Sequence, residues 1–246
     1  MNLRRPTLRL DHVLSEALAF VSRNFAVVAG LGLLLIGLPE FIADGVTVTA
    51  PAPPGDDAAA ASIVVESIRA SLFHGIVAYM FWQELEGRRA GWREALRLPV
   101  LVPLLAVGVL MNLVIETGFW FVSILAAVAY PFIGLAVVAA VVERAGIPAA
   151  FVRSFQVLRG ARLKALFLYG LYIAAAFGAD VLAVNAGLGT YWDSERPLGP
   201  IPALLTCALC STATDIYLAA MAAALYFELR RLQEITPAED PAGVFD

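Results

Sequence analysis

Residues 119–142 read FWFVSILAAVAYPFIGLAVVAAVV, and residues 143–164 continue ERAGIPAAFVRSFQVLRGARLK. The first stretch contains no charged side chain, and as an α-helix it is about 36 Å long, enough to cross a hydrocarbon core about 30 Å thick. The second stretch brings Arg144, Arg153, Arg159, Arg162 and Lys164 within a few turns. A bilayer-length neutral run that ends in a basic gap is the pattern of a membrane span emerging on the cytoplasmic side. Pro131 lies inside the run and predicts a kink, because it removes a backbone donor and crowds the preceding turn.

The same alternation extends in both directions. Apolar runs fall at 25–43, 62–84, 99–116, 119–142, 163–184 and 203–227. Arg4, Arg5, Arg9 and Arg23 precede the first, and Arg88, Arg89, Arg93 and Arg97 separate the second from the third. Arg230 and Arg231 follow the sixth, whereas the opposite gaps hold Arg196, with Arg69 near the outer end of the second run. Fifteen of the 17 Lys and Arg residues thus lie on one side, which predicts six transmembrane helices with both termini in the cytoplasm. The fold class expected is an all-α membrane protein built as three helical hairpins. Residues 1–234 form one membrane domain, and a mobile acidic tail follows from 235 to 246.

Composition agrees with that layout. Of 246 residues, 60% are hydrophobic and 15% charged, with mean hydropathy +0.78, against about a quarter charged in soluble domains. The small net charge of −4 speaks against a nucleic-acid partner. The amphipathic start, residues 1–24, does not resemble the n-region of a cleaved signal, so the first span is expected to be retained. The first outer gap, 44–61, contains Pro51, Pro53, Pro54 and an alanine run and reads as flexible.

Each cytoplasmic gap is expected to end in a short amphipathic helix lying in the membrane plane. In the first, Asp11 is placed to cap a helix with Val13, Leu14, Ala17, Leu18 and Val21 on one face. In the second, Trp92, Ala95 and Leu96 oppose Arg93, Glu94 and Arg97. In the third, Pro148 suits the first helical position, Phe151, Val152, Phe155 and Leu158 form the apolar face, and Gly160 stops the helix. The segments 15–18 (Ser-Glu-Ala-Leu) and 93–96 (Arg-Glu-Ala-Leu) align, which makes the chain read as three units of elbow plus hairpin. Arg23, Arg93, Arg97, Arg153, Arg159 and Arg162 become candidate contacts for anionic headgroups.

The run 141–160, with Glu143, the Arg153-Ser154 pair and the Leu158-Arg159-Gly160 stop, resembles a bacterial multi-pass family labelled the glycerophosphoryl diester phosphodiesterase membrane domain. The ending Tyr226-Phe227-Glu228-Leu229-Arg230 and the start 13–20 are similar to it as well. The resemblance implies a bacterial inner-membrane protein, in some members fused to a phosphodiesterase. No catalytic domain fits within this chain, and His12 and His74 stand alone in the sequence. The label therefore carries no expectation of enzymatic activity.

Ionisable residues within spans are functional candidates because burying a charge in hydrocarbon costs several kcal/mol. Asp215 lies near the centre of the sixth span, with Cys207, Ser211 and Thr214 at helical spacing. Asp180, with Tyr169 and Tyr172, lies on the fifth span. Two readings stay open for Asp215, Ser211, Thr214, Asp180 and Tyr172: a polar cavity that binds cations or relays protons, or side chains hydrogen-bonded between helices. Glu66 and Arg69 have ion-pair spacing. Cys207 and Cys210 have redox-pair spacing but lie within a span, where small packing residues are expected. Ala219/Ala223, Ala220/Ala224, Gly30 and Gly32 offer close helix contact. No Cys/His/acid set has metal-ligand spacing, and no nucleophile stands with a base, so neither cofactor nor catalysis is expected. The expected role is a non-catalytic, lipid-associated or envelope-maintenance scaffold whose partners are lipids or another membrane protein. The alternative is a small transporter or channel using Asp215.

Overall fold

The computed structural model describes residues 8–49, 56–89, 91–94, 101–107, 109–110, 123–185 and 201–235, and these are helical apart from short turns. Helix α1 spans Leu10–Arg23, and α2 spans Phe25–Gly32. A π-helical turn, Leu33–Gly37, joins α2 directly to α3, Leu38–Thr49. Then come α4, Asp56–Leu85, and α5, at 101–107 and 109–110. Helices α6, Ser123–Val142, and α7, Ile147–Val157, are followed by α8, Arg162–Asn185, and α9, Ile201–Ile235.

Among the described residues, three helical stretches are long and apolar enough to cross a membrane: Phe25–Ala43, Val64–Leu85 and Ala208–Glu234. A fourth arises if Gly134–Val142 and Ile147–Val157 are joined, but the two are bent by 116°. That bend sits in the basic gap, where Arg144 adopts a positive φ of 52°. The chain therefore turns out of the α6 axis into α7, as the elbow reading requires. Pro148 occupies the first turn of α7, and Gly160, at φ +90°, lies in the turn that follows it. Both placements match the sequence reading. Helix α6 continues through Pro131 without interruption.

Other expectations need correction. The gap 44–61 is largely helical: α3 extends to Thr49 and α4 begins at Asp56, leaving 50–55 outside the described residues. Ala58 to Ala61 are the strongest helix formers available, and their propensity prevails over the nearby prolines. Asp11 does not cap α1. The N-cap is Arg9, and Asp11 sits in the first turn, where Arg9 Nη2 lies 2.6 Å from its carboxylate. Its charge still favours the positive helix end. In the second elbow, residues 91–94 form a bend and turn; 95–100 lie outside the described residues.

Helix α9 is the hub. It packs against α1, α2, the π turn, α3, α4, α6, α7 and α8. Its inner face is built from Ala219, Ala220, Ala223 and Ala224, all buried, so neighbouring backbones approach closely. On the α2–α3 rod, the close contact is made by Gly32 and Gly37 rather than Gly30. A Cβ on Gly37 would lie 2.5 Å from Thr212 Oγ1, one on Gly32 would lie 2.9 Å from Thr212 Cγ2, and one on Gly30 would meet nothing within 4 Å. The π turn widens the helix so that residues five apart, not four, stack toward α9.

Candidate functional site

At or near the C-terminal ends of α4, α6 and α9 stand Glu84, Glu143 and Glu228, and each faces a basic group of α1 or α7. Arg23 Nε donates to Glu84 Oε1 at 2.5 Å, and Asn24 Nδ2 donates to Glu84 Oε2 at 2.6 Å. Arg153 Nε spans both oxygens of Glu143 at 2.9 and 3.0 Å, while Tyr226 Oη donates to Oε1 at 2.5 Å. His12 Nδ1 stands 3.7 Å from Glu228 Oε2. Burial works against the charge on Arg153, but the hydrogen bond and charge of Glu143 outweigh it and hold its pKa above the ordinary arginine value. Charge-assisted contacts of this kind fix an elbow more firmly than a neutral hydrogen bond does.

Two further ties complete this end. Gln233 of α9 donates to the carbonyls of Gln156 (2.8 Å) and Val157 (3.3 Å), satisfying orphan acceptors at the end of α7. Glu94 in the second gap accepts from Tyr79 Oη at 2.9 Å and from Gln83 Nε2 at 3.3 Å. Between α1, α4 and α9 lies an open cavity of about 480 Å³ with His12, Glu16, Phe81, Trp82, Phe227 and Glu228 on its walls.

The elbows are apolar on two sides. In α1 the buried face is Val13, Ala17 and Phe20, and Leu18 is 62% exposed. In α7 the buried face is Ala150, Ser154 and Val157, while Val152 and Phe155 are 55% and 49% exposed. The expected apolar faces are corrected accordingly: Leu18 and Val152 point away from the protein, while Phe155, half-exposed, stacks on Phe132 of α6 with ring centroids 4.7 Å apart.

Among the expected headgroup contacts, Arg23 and Arg153 are held through Nε on glutamates. Arg93 is exposed, its guanidinium 5.5 Å from the Trp92 ring centroid. Arg159 and Arg162 are exposed beside the end of α7, and Arg97 lies outside the described residues.

Within the expected intramembrane set, the structure brings one unforeseen partner to Asp215. His74 of α4, which the sequence left isolated, is buried with Nε2 3.8 Å from Asp215 Oδ1. Thr214 Oγ1 instead donates to the Cys210 carbonyl of its own helix at 2.8 Å, and Ser211 is half-buried. Tyr172 is half-buried on α8, and the side chain of Asp180 lies outside the description. Arg69 Nε is buried without a hydrogen-bond partner, so the expected Glu66–Arg69 pair is not made through that atom. Cys210 is a free, exposed thiol. No group of three or more His, Cys, Asp or Glu side chains suited to a metal ion occurs among the described residues.

Sequence reasoning missed the repeated glutamate clamp, although its signal was present: Glu84, Glu143 and Glu228 each close an apolar run just before basic residues. The class these features define is an all-helical protein with helices fit to cross a membrane. No family model, curated protein or solved structure matches the chain.

Proposed function

We propose that the chain is a non-catalytic, six-span protein of the bacterial inner membrane, both termini cytoplasmic, whose elbows engage lipid at the cytoplasmic leaflet. The observation that carries this reading is the double-sided apolar character of α1 and α7. One face of each is buried on the bundle, while Leu18, Val152 and Phe155 are exposed next to arginines. A helix with exposed apolar side chains bordered by guanidiniums is stable where acyl chains meet anionic headgroups. The three-hairpin layout draws support from α6, 20 residues without a charge, and from α8, whose Phe167 and Leu171 are exposed. Kinship with the phosphodiesterase-associated membrane family is part of the same proposal.

The test uses Arg159 and Arg162, which are exposed. Each basic residue near an anionic surface contributes about 1 kcal/mol, so Arg159→Glu with Arg162→Glu should lower retention of anionic lipid roughly tenfold or more. Native mass spectrometry from mixed anionic and zwitterionic nanodiscs measures it. Equal retention by the variant and the parent would remove the basis of this reading.

A second reading, a small transporter or channel, is favoured by the placement of His74 against Asp215. Asp215→Asn should change solute or proton flux in reconstituted vesicles. Vesicles that pass neither, with the parent protein inserted, would eliminate it.

A further inference from the structure

We propose that His74 and Asp215 form a proton-binding site within the membrane domain, one exchangeable proton being shared by imidazole and carboxylate. The site goes beyond the lipid-anchoring role and requires no transported solute.

The geometry is specific. His74 is 9% exposed, its Nε2 has no hydrogen-bond partner, and that nitrogen faces Asp215 Oδ1 at 3.8 Å. Buried polar atoms normally find partners. A separation of 3.8 Å is too long for a hydrogen bond, but a side-chain rotation of Asp215 by under about 1 Å closes it. The Asp215 side chain keeps 27% exposure, so the pair is not sealed within the helix contact.

The surroundings leave these two groups to balance each other. At this depth α6 contributes no charged residue between Ser123 and Val142, and the α2–π–α3 rod contributes none from Phe25 to Pro39. On α9, Asp215 is the charged residue between Ile201 and Phe227, with Tyr217 the nearest other titratable group. On α4, Arg69 lies five residues outward of His74, Glu66 lies beyond it, and Tyr79 lies five residues inward.

A bare carboxylate beside a neutral imidazole leaves a net negative charge in apolar surroundings, which is costly. One proton removes that charge, either on carboxylate oxygen as a neutral acid or on Nε2 as an ion pair. A second proton would create an uncompensated positive charge, so the pair takes one. The proton is drawn from water as an O–H or N–H bond forms, and it returns to water as that bond breaks. Because the two groups are coupled, the titration belongs to the pair.

The experiment uses the full chain labelled with ¹⁵N-histidine in nanodiscs of zwitterionic lipid, titrated between about pH 4 and pH 9. The His74 imidazole signal is assigned by its disappearance in His74→Gln, and the Asp215 carboxyl infrared band by its disappearance in Asp215→Asn. The expected result is a protonation step at His74 whose affinity weakens tenfold or more in Asp215→Asn. The Asp215 band should move in the same pH range and shift in His74→Gln. If Asp215→Asn does not fold, the infrared measurement on His74→Gln decides. Flat signals for both groups, or unchanged titration of each when its partner is removed, would overturn the proposal. Titration without flux would keep the site and discard the transporter reading.

Discussion

The C-terminal part of α9 and its middle, with the helices around them, solve the same problem in opposite ways. Near the C-terminal end, charged and polar donors face carboxylates within hydrogen-bond reach: Arg153 and Tyr226 on Glu143, Arg23 and Asn24 on Glu84. In the bundle interior, His74 and Asp215 stop at 3.8 Å, and neighbouring contacts are made by glycine, alanine and threonine. The lesson is that rigidity and reactivity are separated along one helix. Where water is near, ion pairs hold the elbows. Where it is scarce, close backbone packing supplies cohesion and leaves a titratable pair incompletely satisfied.

The sharpest way to break this contrast is to remove the clamp acceptor. Glu143→Ala strands Arg153 and Tyr226 together, and since both charged side chains are partly exposed the expected loss is about 2 kcal/mol. Thermal unfolding in detergent measures it, and a cycle with Arg153→Gln should recover part of the loss. Next comes the interior. Gly37→Ala forces a methyl toward Thr212 Oγ1 and the Ala208 carbonyl, at an expected cost of about 1–2 kcal/mol. Gly30→Ala, in open space, should be neutral or stabilising by about 0.5 kcal/mol. Equal effects at the two glycines would erase the packing side of the comparison.

A milder test is Glu84→Gln. Arg23 is half-exposed there, and the expected loss is about 1 kcal/mol, seen as faster amide exchange in α1 with α7 unchanged. The smallest effect concerns Asp11, whose carboxyl is held below its ordinary value first by the hydrogen bond from Arg9. A depressed carboxyl pKa contributes stability above the unfolded value, lost as pH falls through the folded one. Amide protection at the start of α1 should therefore drop slightly below about pH 3.8, and Asp11→Asn should abolish that dependence.

Much of the helix layout was legible because neutral runs and basic gaps carry length and sign directly. The run 25–43 begins where α2 begins, although the helix continues to Thr49, and Pro148 and Gly160 mark the boundaries of α7 as their backbone chemistry requires. The outward facing of Leu18 and Val152 was not legible. In a membrane, protein interior and lipid are both apolar, so periodicity alone cannot say which neighbour a side chain meets. His74 and Asp215 are far apart in sequence and come together through the packing of α4 on α9, a tertiary fact with no local trace. Gly37 acquired its role from the π turn, which alters the period on which spacing arguments rest.

The order of the chain gives the hub helix one more consequence. Helix α9 follows every other described helix, yet α1 lies against it, joining residues near 10 to residues near 228. During synthesis the first elbow can meet α4 early, through Glu84 and Phe81, but its seat on α9 forms only after the last described helix is made. Full docking of α1 therefore reports that the bundle is assembled, and a ribosome stalled before Ile201 would leave α1 held by α4 alone.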